Sequence, residues 1–105
     1  MFGTWLPLKD LITDKKELDK LADQLLKQDP KAFLPSTYTP AQIEGFKKQR
    51  ALLAEAYKSP NSAVIELVGG GRFSTSLDKP ASRGVISINT ADIYAEPTVD
   101  FNVFK

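Results

Sequence analysis

The chain has 105 residues, of which 42% are hydrophobic and 26% charged, and a formal net charge of +1. This length allows one domain with a modest core. The near-neutral charge disfavours a nucleic-acid partner, because proteins that bind phosphate backbones carry a basic excess. The chain contains neither cysteine nor histidine, which excludes disulfides, histidine or thiolate metal sites and histidine-dependent triads. No run approaches the ~20 apolar residues that a membrane helix needs.

Residues 1–12 are apolar without a clear period, and Gly3 and Pro7 predict an irregular segment there. Phe2 and Trp5 are among several large apolar side chains in this stretch. Two interpretations are open at even weight: these side chains pack on the core of this chain, or they pack on a partner, since exposed apolar patches mark missing partners.

Two helices are predicted next. The first runs from about Asp14 to Gln28 and carries leucines at the i, i+3, i+4 spacing of a core-facing stripe. The second begins at Thr39-Pro40, where Thr39 caps, Pro40 occupies the first helical position and Gln42 completes a capping box, and it ends near Lys58. A basic cluster in this helix, Lys47, Lys48 and Arg50, is interpreted as a solvated face in preference to an anion site.

Beyond Pro60 the pattern becomes that of strands. Ala63–Val68 is apolar on both faces apart from Glu66, and Arg72–Leu77 alternates as a half-buried strand does. The Gly69–Gly71 turn between them predicts an antiparallel hairpin, not a phosphate-binding loop, because such a loop precedes a helix. A third strand is expected at Val85–Asn89. The sequence therefore predicts one α+β domain over residues 1–105, with two helices followed by a small antiparallel sheet of about three strands.

Few residues are candidates for chemistry. Glu66 has the potential to be a buried acid or base, but a solvent-facing glutamate is the favoured interpretation. Arg83, in Ser82-Arg83-Gly84, either binds an anion or forms an ion pair with Asp100 or Asp92, and the ion pair is favoured because a planar guanidinium suits bidentate locking.

The run from Lys79 to Phe101 predicts a turn, a strand, a second turn and an extended exit. It resembles a segment in the substrate-binding domain of the glucose-methanol-choline (GMC) flavoprotein oxidoreductases, and of their fungal members in particular. The resemblance covers about a quarter of the chain, and a looser similarity extends upstream through Asp29–Pro35. The matching positions are Pro80, Ser82, Arg83, Gly84, Ile86, Ile88, Asn89, Thr90, Asp92, Pro97, Val99 and Asp100. The chain departs from the family at Ile93, where members often carry proline, and at Lys79, where many carry histidine.

The resemblance implies a piece of an enzyme that oxidises alcohols by passing hydride to FAD. The family's FAD-binding glycine fingerprint and histidine base are both missing from this sequence, so no catalytic, cofactor-binding or metal-binding residue carries over. What carries over is a position beside the flavin, where Phe73, Thr75 and Arg83 would line the pocket for a small-molecule alcohol. The resemblance thus implies FAD as the cofactor of the family, but this chain alone is not expected to bind it.

Three hypotheses follow. In the first, the chain is a piece of the substrate-binding domain, forming pocket wall and scaffold, and its partner is the remaining chain of a split flavoenzyme. In the second, it is a stand-alone small-molecule-binding or protein-interaction module. In the third, it is a non-redox cyclase or isomerase. The first also predicts that the isolated chain exposes apolar surface and self-associates.

Overall fold

The fold was analysed in a computed structural model, which describes residues 2–103. It contains two α-helices, two short 3₁₀ turns and five strands among those residues. In chain order they are β1 (Phe2–Pro7), a 3₁₀ turn (Leu8–Asp10), α1 (Lys15–Lys27), a second 3₁₀ turn (Pro30–Ala32), α2 (Pro40–Lys58), β2 (Ala63–Gly69), β3 (Ser74–Leu77), β4 (Val85–Ser87) and β5 (Thr98–Asp100). The predicted α+β class is confirmed.

Both helices begin where their capping residues predict. The Asp14 side chain accepts a hydrogen bond of 2.8 Å from the backbone N–H of Lys16 at the start of α1. In α2 the Thr39 hydroxyl accepts from the backbone N–H of Gln42, and the Gln42 side chain accepts from that of Thr39. These contacts satisfy backbone donors that the first turn of a helix leaves free.

The first sheet has the order β1-β2-β3 and is antiparallel throughout. The predicted hairpin between β2 and β3 is confirmed, and Gly70 and Gly71 in its turn have φ of 144° and 85°. The prediction of an irregular N-terminus is wrong, because Phe2–Pro7 pairs along the other edge of β2. Pro7 is tolerated since it lies at the end of β1, beside a shift in register after Leu6.

A separate two-stranded ribbon is formed by β4 and β5, with Ile86 opposite Val99. The predicted third strand therefore exists, but its partner is the extended exit, and the third strand of the main sheet is β1 instead. Isolated two-stranded ribbons are marginal in water, so this ribbon depends on what it packs against.

The core lies where α1, α2 and the start of β2 meet. Its buried apolar residues are Leu18, Ala22, Leu25, Phe46, Leu53, Ala54, Tyr57 and Val64. Leu21 and Leu26 also follow the leucine spacing that predicts a core-facing stripe in α1, yet they are 37% and 45% exposed. The buried stripe is thus narrower than the leucine pattern predicts.

Arg50 lies inside this core and not on a solvated face, which corrects the interpretation of the basic cluster. Its Nη2 donates to the carbonyl oxygens of Leu26 and Gln28 at 3.4 and 2.9 Å, and its guanidinium lies 5.4 Å from the Phe46 ring centroid. A cation suits this position because the C-terminal end of a helix carries partial negative charge. Arg50 therefore ties α2 to the end of α1.

The molecule is flat and extended for its size. Its radius of gyration is 17.0 Å and its principal extents are 50 × 39 × 19 Å, whereas a compact domain of this length has a radius of gyration near ~13 Å. Neither helix in residues 2–103 combines the length and apolar character that crossing a bilayer requires.

Candidate functional site

The segment Lys79–Gly84, which carries the Ser-Arg-Gly motif, is tied to the second helix and to the link before it. The Tyr57 hydroxyl donates to the Lys79 carbonyl oxygen at 2.7 Å, and the Tyr38 hydroxyl donates to the Gly84 carbonyl oxygen at 2.9 Å. The Lys79 ammonium in turn donates to the Ala63 carbonyl oxygen at 2.6 Å. Both ends of the segment are therefore fixed to the helical layer and to β2.

Arg83 is held in one orientation by three acceptors. Its Nε donates to Gln49 Oε1 at 2.9 Å, and its Nη1 donates to the carbonyl oxygens of Pro80 and Ser82 at 2.8 and 2.7 Å. These three hydrogen bonds fix the position of the guanidinium. Its remaining nitrogen, Nη2, has no acceptor among residues 2–103.

The expected ion pair between Arg83 and Asp92 or Asp100 is wrong. Within residues 2–103 neither carboxylate lies within 4.0 Å of the Arg83 guanidinium. Both carboxylates close local turns instead: Asp92 accepts from the backbone N–H of Tyr94, and Asp100 accepts from that of Asn102, each at 3.0 Å. Aspartate favours such bonds to the backbone two residues on.

Asn102 is the residue that sequence reasoning missed. It is 6% exposed, and its Nδ2 donates to the carbonyl oxygens of Phe33 and Arg83, each at 2.8 Å. Its φ of 44° is in the left-handed region, which asparagine tolerates better than most residues. Gly84 permits the close approach of this exit segment, since a Cβ there would collide with the Asp100 carbonyl oxygen.

Burial raises the pKa of Tyr57 above its ordinary value of 10.0, and the nearby positive charge of Arg83 partly offsets this rise. Desolvation disfavours the phenolate, and the hydroxyl is committed to the Lys79 carbonyl oxygen. Tyr57 is therefore a hydrogen-bond donor throughout the physiological pH range, not a base.

The other two candidate substrate-binding residues lie on a different element. Phe73 is 86% exposed in the hairpin turn, and its ring meets that of Phe2 edge-on at 6.5 Å between centroids. Thr75 lies in β3 opposite Leu67 and is exposed. The expectation that β3 is half-buried is wrong, because every residue of Ser74–Leu77 is exposed in this chain. The role of Phe73, Thr75 and Arg83 in binding substrate stays a prediction.

Exposed apolar side chains are grouped on the β4–β5 ribbon. Ile86 is paired with Val99 across the strands, and Ile88 and Phe101 lie just beyond the strand ends, each two residues from one of them. We call these four residues the ribbon face. All four are exposed, from 43% at Val99 to 80% at Ile88.

Few described side chains suit cofactor or metal binding. The glycine run is the tip of a β-hairpin and precedes strand β3, so it does not present the N-terminus of a helix to a phosphate. Glu66 lies in the central strand between Trp5 and Ser76, away from any second acid in the register. Within residues 2–103 no group of three or more acidic side chains is placed to hold a metal ion.

Comparison with known proteins gives one sequence relative. No family model matches the chain. A dehydrogenase of Emericella nidulans, XptC, is 30% identical over an alignment of 87 residues that covers 77% of this chain and 13% of that protein. The present chain thus spans a small part of its relative's length.

Two solved structures share the fold. An FAD-dependent oxidoreductase from Chaetomium thermophilum superposes with a TM-score of 0.81 and 22% identity, covering 96% of this chain and 17% of that one. A fungal aryl-alcohol oxidase superposes with a TM-score of 0.75 and 20% identity, covering 96% of this chain and 18% of that one. The resemblance to a segment of the GMC oxidoreductases is confirmed: the chain has the fold of a segment of FAD-dependent oxidoreductases of this family, and its sequence relative is a dehydrogenase.

Proposed function

We propose that this chain forms pocket wall and scaffold in the substrate-binding domain of an FAD-dependent alcohol oxidoreductase, and that it is not catalytically competent alone. Its similarity to 13% of a dehydrogenase, 17% of an FAD-dependent oxidoreductase and 18% of an aryl-alcohol oxidase supports a role as part of a larger enzyme. The observation that carries the proposal is the amount of surface that the chain leaves exposed, together with the large apolar side chains within it.

The accessible surface of the chain can be compared with that of a compact monomer of the same mass. The accessible surface is 7816 Å² for a mass of 11.6 kDa, whereas a compact monomer of that mass exposes about 5,800 Å². The difference of about 2,000 Å² exceeds the ~800 Å² that each partner buries in a standard protein interface. An exposed surface of this size is closer to the area buried in a permanent subunit or domain interface than to the area of a transient contact.

The apolar residues in that surface lie where a larger sheet domain would cover them. The ribbon face has its strands paired with each other, and nothing in residues 2–103 covers its side chains. Phe2 and Phe73 lie side by side at the hairpin end of the main sheet, and both are exposed. In the proposed enzyme these surfaces contact its remaining chain, and Phe73, Thr75 and Arg83 contribute to the wall for a small alcohol.

FAD would be held by the remainder of such an enzyme. The described residues lack a glycine-rich turn before a helix, and the sequence has no histidine to accept the alcohol proton. What the chain's own residues contribute is shape: the Tyr57, Arg83 and Asn102 contacts fix the Lys79–Gly84 segment and hold the exit of β5 beside it.

The proposal is tested by turnover and by flavin content. The purified chain, with and without added FAD, is expected to show no dye-linked oxidation of aliphatic or aromatic alcohols. The chain tagged in its natural host is expected to copurify with flavin. Ile86→Lys, in the ribbon face, should reduce that flavin, whereas Lys15→Glu, on the exposed side of α1, should not. Turnover by the chain alone would contradict the proposal, and so would flavin-free purification.

A further inference from the structure

A groove between α2 and the Arg83 motif has a lining rich in hydrogen-bond donors. It encloses about 220 Å³. Its lining residues are Tyr38, Gln42, Gly45, Phe46, Gln49 and Arg83. No acidic side chain is among them.

The chemistry of neighbouring groups sets the orientation of both glutamines. Gln42 accepts from the backbone N–H of Thr39 at 2.8 Å, and Gln49 accepts from Arg83 Nε at 2.9 Å. Because both partners are obligatory donors, the glutamine atom facing each of them must be the oxygen. The Nε2 groups of both residues remain as donors without an acceptor among residues 2–103.

Arg83 adds a preorganised cation to this groove. Its Nη2 is without an acceptor in the described chain, while Nε and Nη1 are anchored. A second positive charge, Arg50, lies 5.4 Å from the ring centroid of Phe46, which lines the groove. The other groove that Arg83 lines contains Asp78 as well as Lys79, whereas the first groove contains no acidic side chain.

Gly45 leaves the groove open. A Cβ at this position would meet nothing within 4 Å, although glycine in a helix interior costs about 1 kcal/mol relative to alanine. The groove walls also include the aromatic residues Tyr38 and Phe46. The space and the walls suit a small planar molecule.

We propose that this groove binds a small aromatic carboxylate, which accepts hydrogen bonds from Arg83 Nη2 and from the Nε2 group of Gln49, whose Oε1 already accepts from Arg83 Nε. A carboxylate has four lone-pair sites in one plane, which matches donors supplied by a guanidinium and a neighbouring amide. This site shares Arg83 with the wall proposed for the alcohol, but it is formed wholly by α2, the link before it and the Arg83 motif, so benzoate binding is measured without flavin or turnover.

The probe is benzoate, with benzamide as its neutral counterpart and inorganic phosphate as a tetrahedral anion. Binding is followed on the full chain by ¹H–¹⁵N NMR of the glutamine side-chain amides and Arg83 Nε–H. Benzoate is expected to shift the Gln49 and Arg83 signals in a saturable manner, and benzamide is expected to leave them unchanged. Equal binding of phosphate would overturn the assignment to carboxylates, and no saturable shift with benzoate would overturn the site.

Three variants separate binding from folding. Gln49→Glu keeps the acceptor for Arg83 Nε but replaces the Nε2 donor by a negative oxygen, so benzoate affinity should fall by roughly tenfold or more. Gly45→Glu places a negative charge beside the groove and should weaken binding, whereas the isosteric Gly45→Gln should weaken it less. Unchanged affinity in Gln49→Glu, with thermal unfolding as in the parent, would refute the proposed donor set.

Discussion

Replacement of Asn102 tests how the end of the chain is joined to the helical layer. Asn102→Ala removes two buried hydrogen bonds to the Phe33 and Arg83 carbonyl oxygens, each with a net contribution of about 1 kcal/mol. It also places alanine at a φ of 44°, which costs about 1–2 kcal/mol for a residue with a Cβ. Removal of the buried Oδ1, which lacks a partner in the described chain, offsets part of this loss. The expected decrease in the free energy of unfolding is about 2–3 kcal/mol.

Asn102→Gly is the matched control. Glycine also lacks the two hydrogen bonds, but it adopts a positive φ without the steric cost. It should therefore be more stable than Asn102→Ala by about 1 kcal/mol. Urea unfolding followed by far-UV circular dichroism gives both differences. A loss below about 0.5 kcal/mol in Asn102→Ala, or equal stability of the two variants, would refute the proposed role of Asn102, since even one such bond contributes about 1 kcal/mol.

Three further predictions concern other parts of the fold. Because the pKa of Tyr57 is raised in the folded state, the contribution of its hydroxyl to stability is complete below pH 10 and is lost as the pH rises through the folded-state pKa. The parent should therefore exceed Tyr57→Phe in unfolding free energy by about 1 kcal/mol at pH 8, and this difference should shrink at pH 11. A difference that stays constant with pH would contradict this. Gly84→Ala should lower the free energy of unfolding, measured by chemical denaturation, by about 1–3 kcal/mol, because the new Cβ meets the backbone of Asp100 and Phe101. Gly69→Ala should lower it less, because the new Cβ meets the exposed ring of Phe2, which can move. Equal losses in the two variants would contradict this contrast. Ile86→Lys should reduce self-association of the chain in sedimentation velocity by placing a charge in the ribbon face, and an unchanged distribution would show that association uses another surface.

Local signals in the sequence predicted the helices and the hairpin. Thr39, Pro40 and Gln42 specify the start of α2 through contacts within four residues, and the glycines between β2 and β3 supply positive φ in the turn. Such features depend on neighbours in sequence, so they are visible without the fold. The Ser-Arg-Gly run added the family resemblance, which the solved structures bear out at the level of fold.

Contacts between residues that are distant in the chain could not be predicted from the sequence. Phe2 lies opposite Gly69 in β1–β2, and no local pattern links residues so far apart. Arg50 was assigned to a solvated face because its neighbours Lys47 and Lys48 are charged, whereas the end of α1 supplies its acceptors. The signal available for Asn102 was weak: asparagine tolerates a positive φ, but nothing local indicates which carbonyl groups it would contact.

The direct test of the central claim is an intact native mass and a visible absorption spectrum of the chain purified from its natural host. The proposed role predicts flavin bands together with a second, larger polypeptide, which would also contain the histidine base. A lone, colourless species with the mass of this chain would contradict that role. It would leave a stand-alone binding module, or an enzyme that works without flavin or histidine.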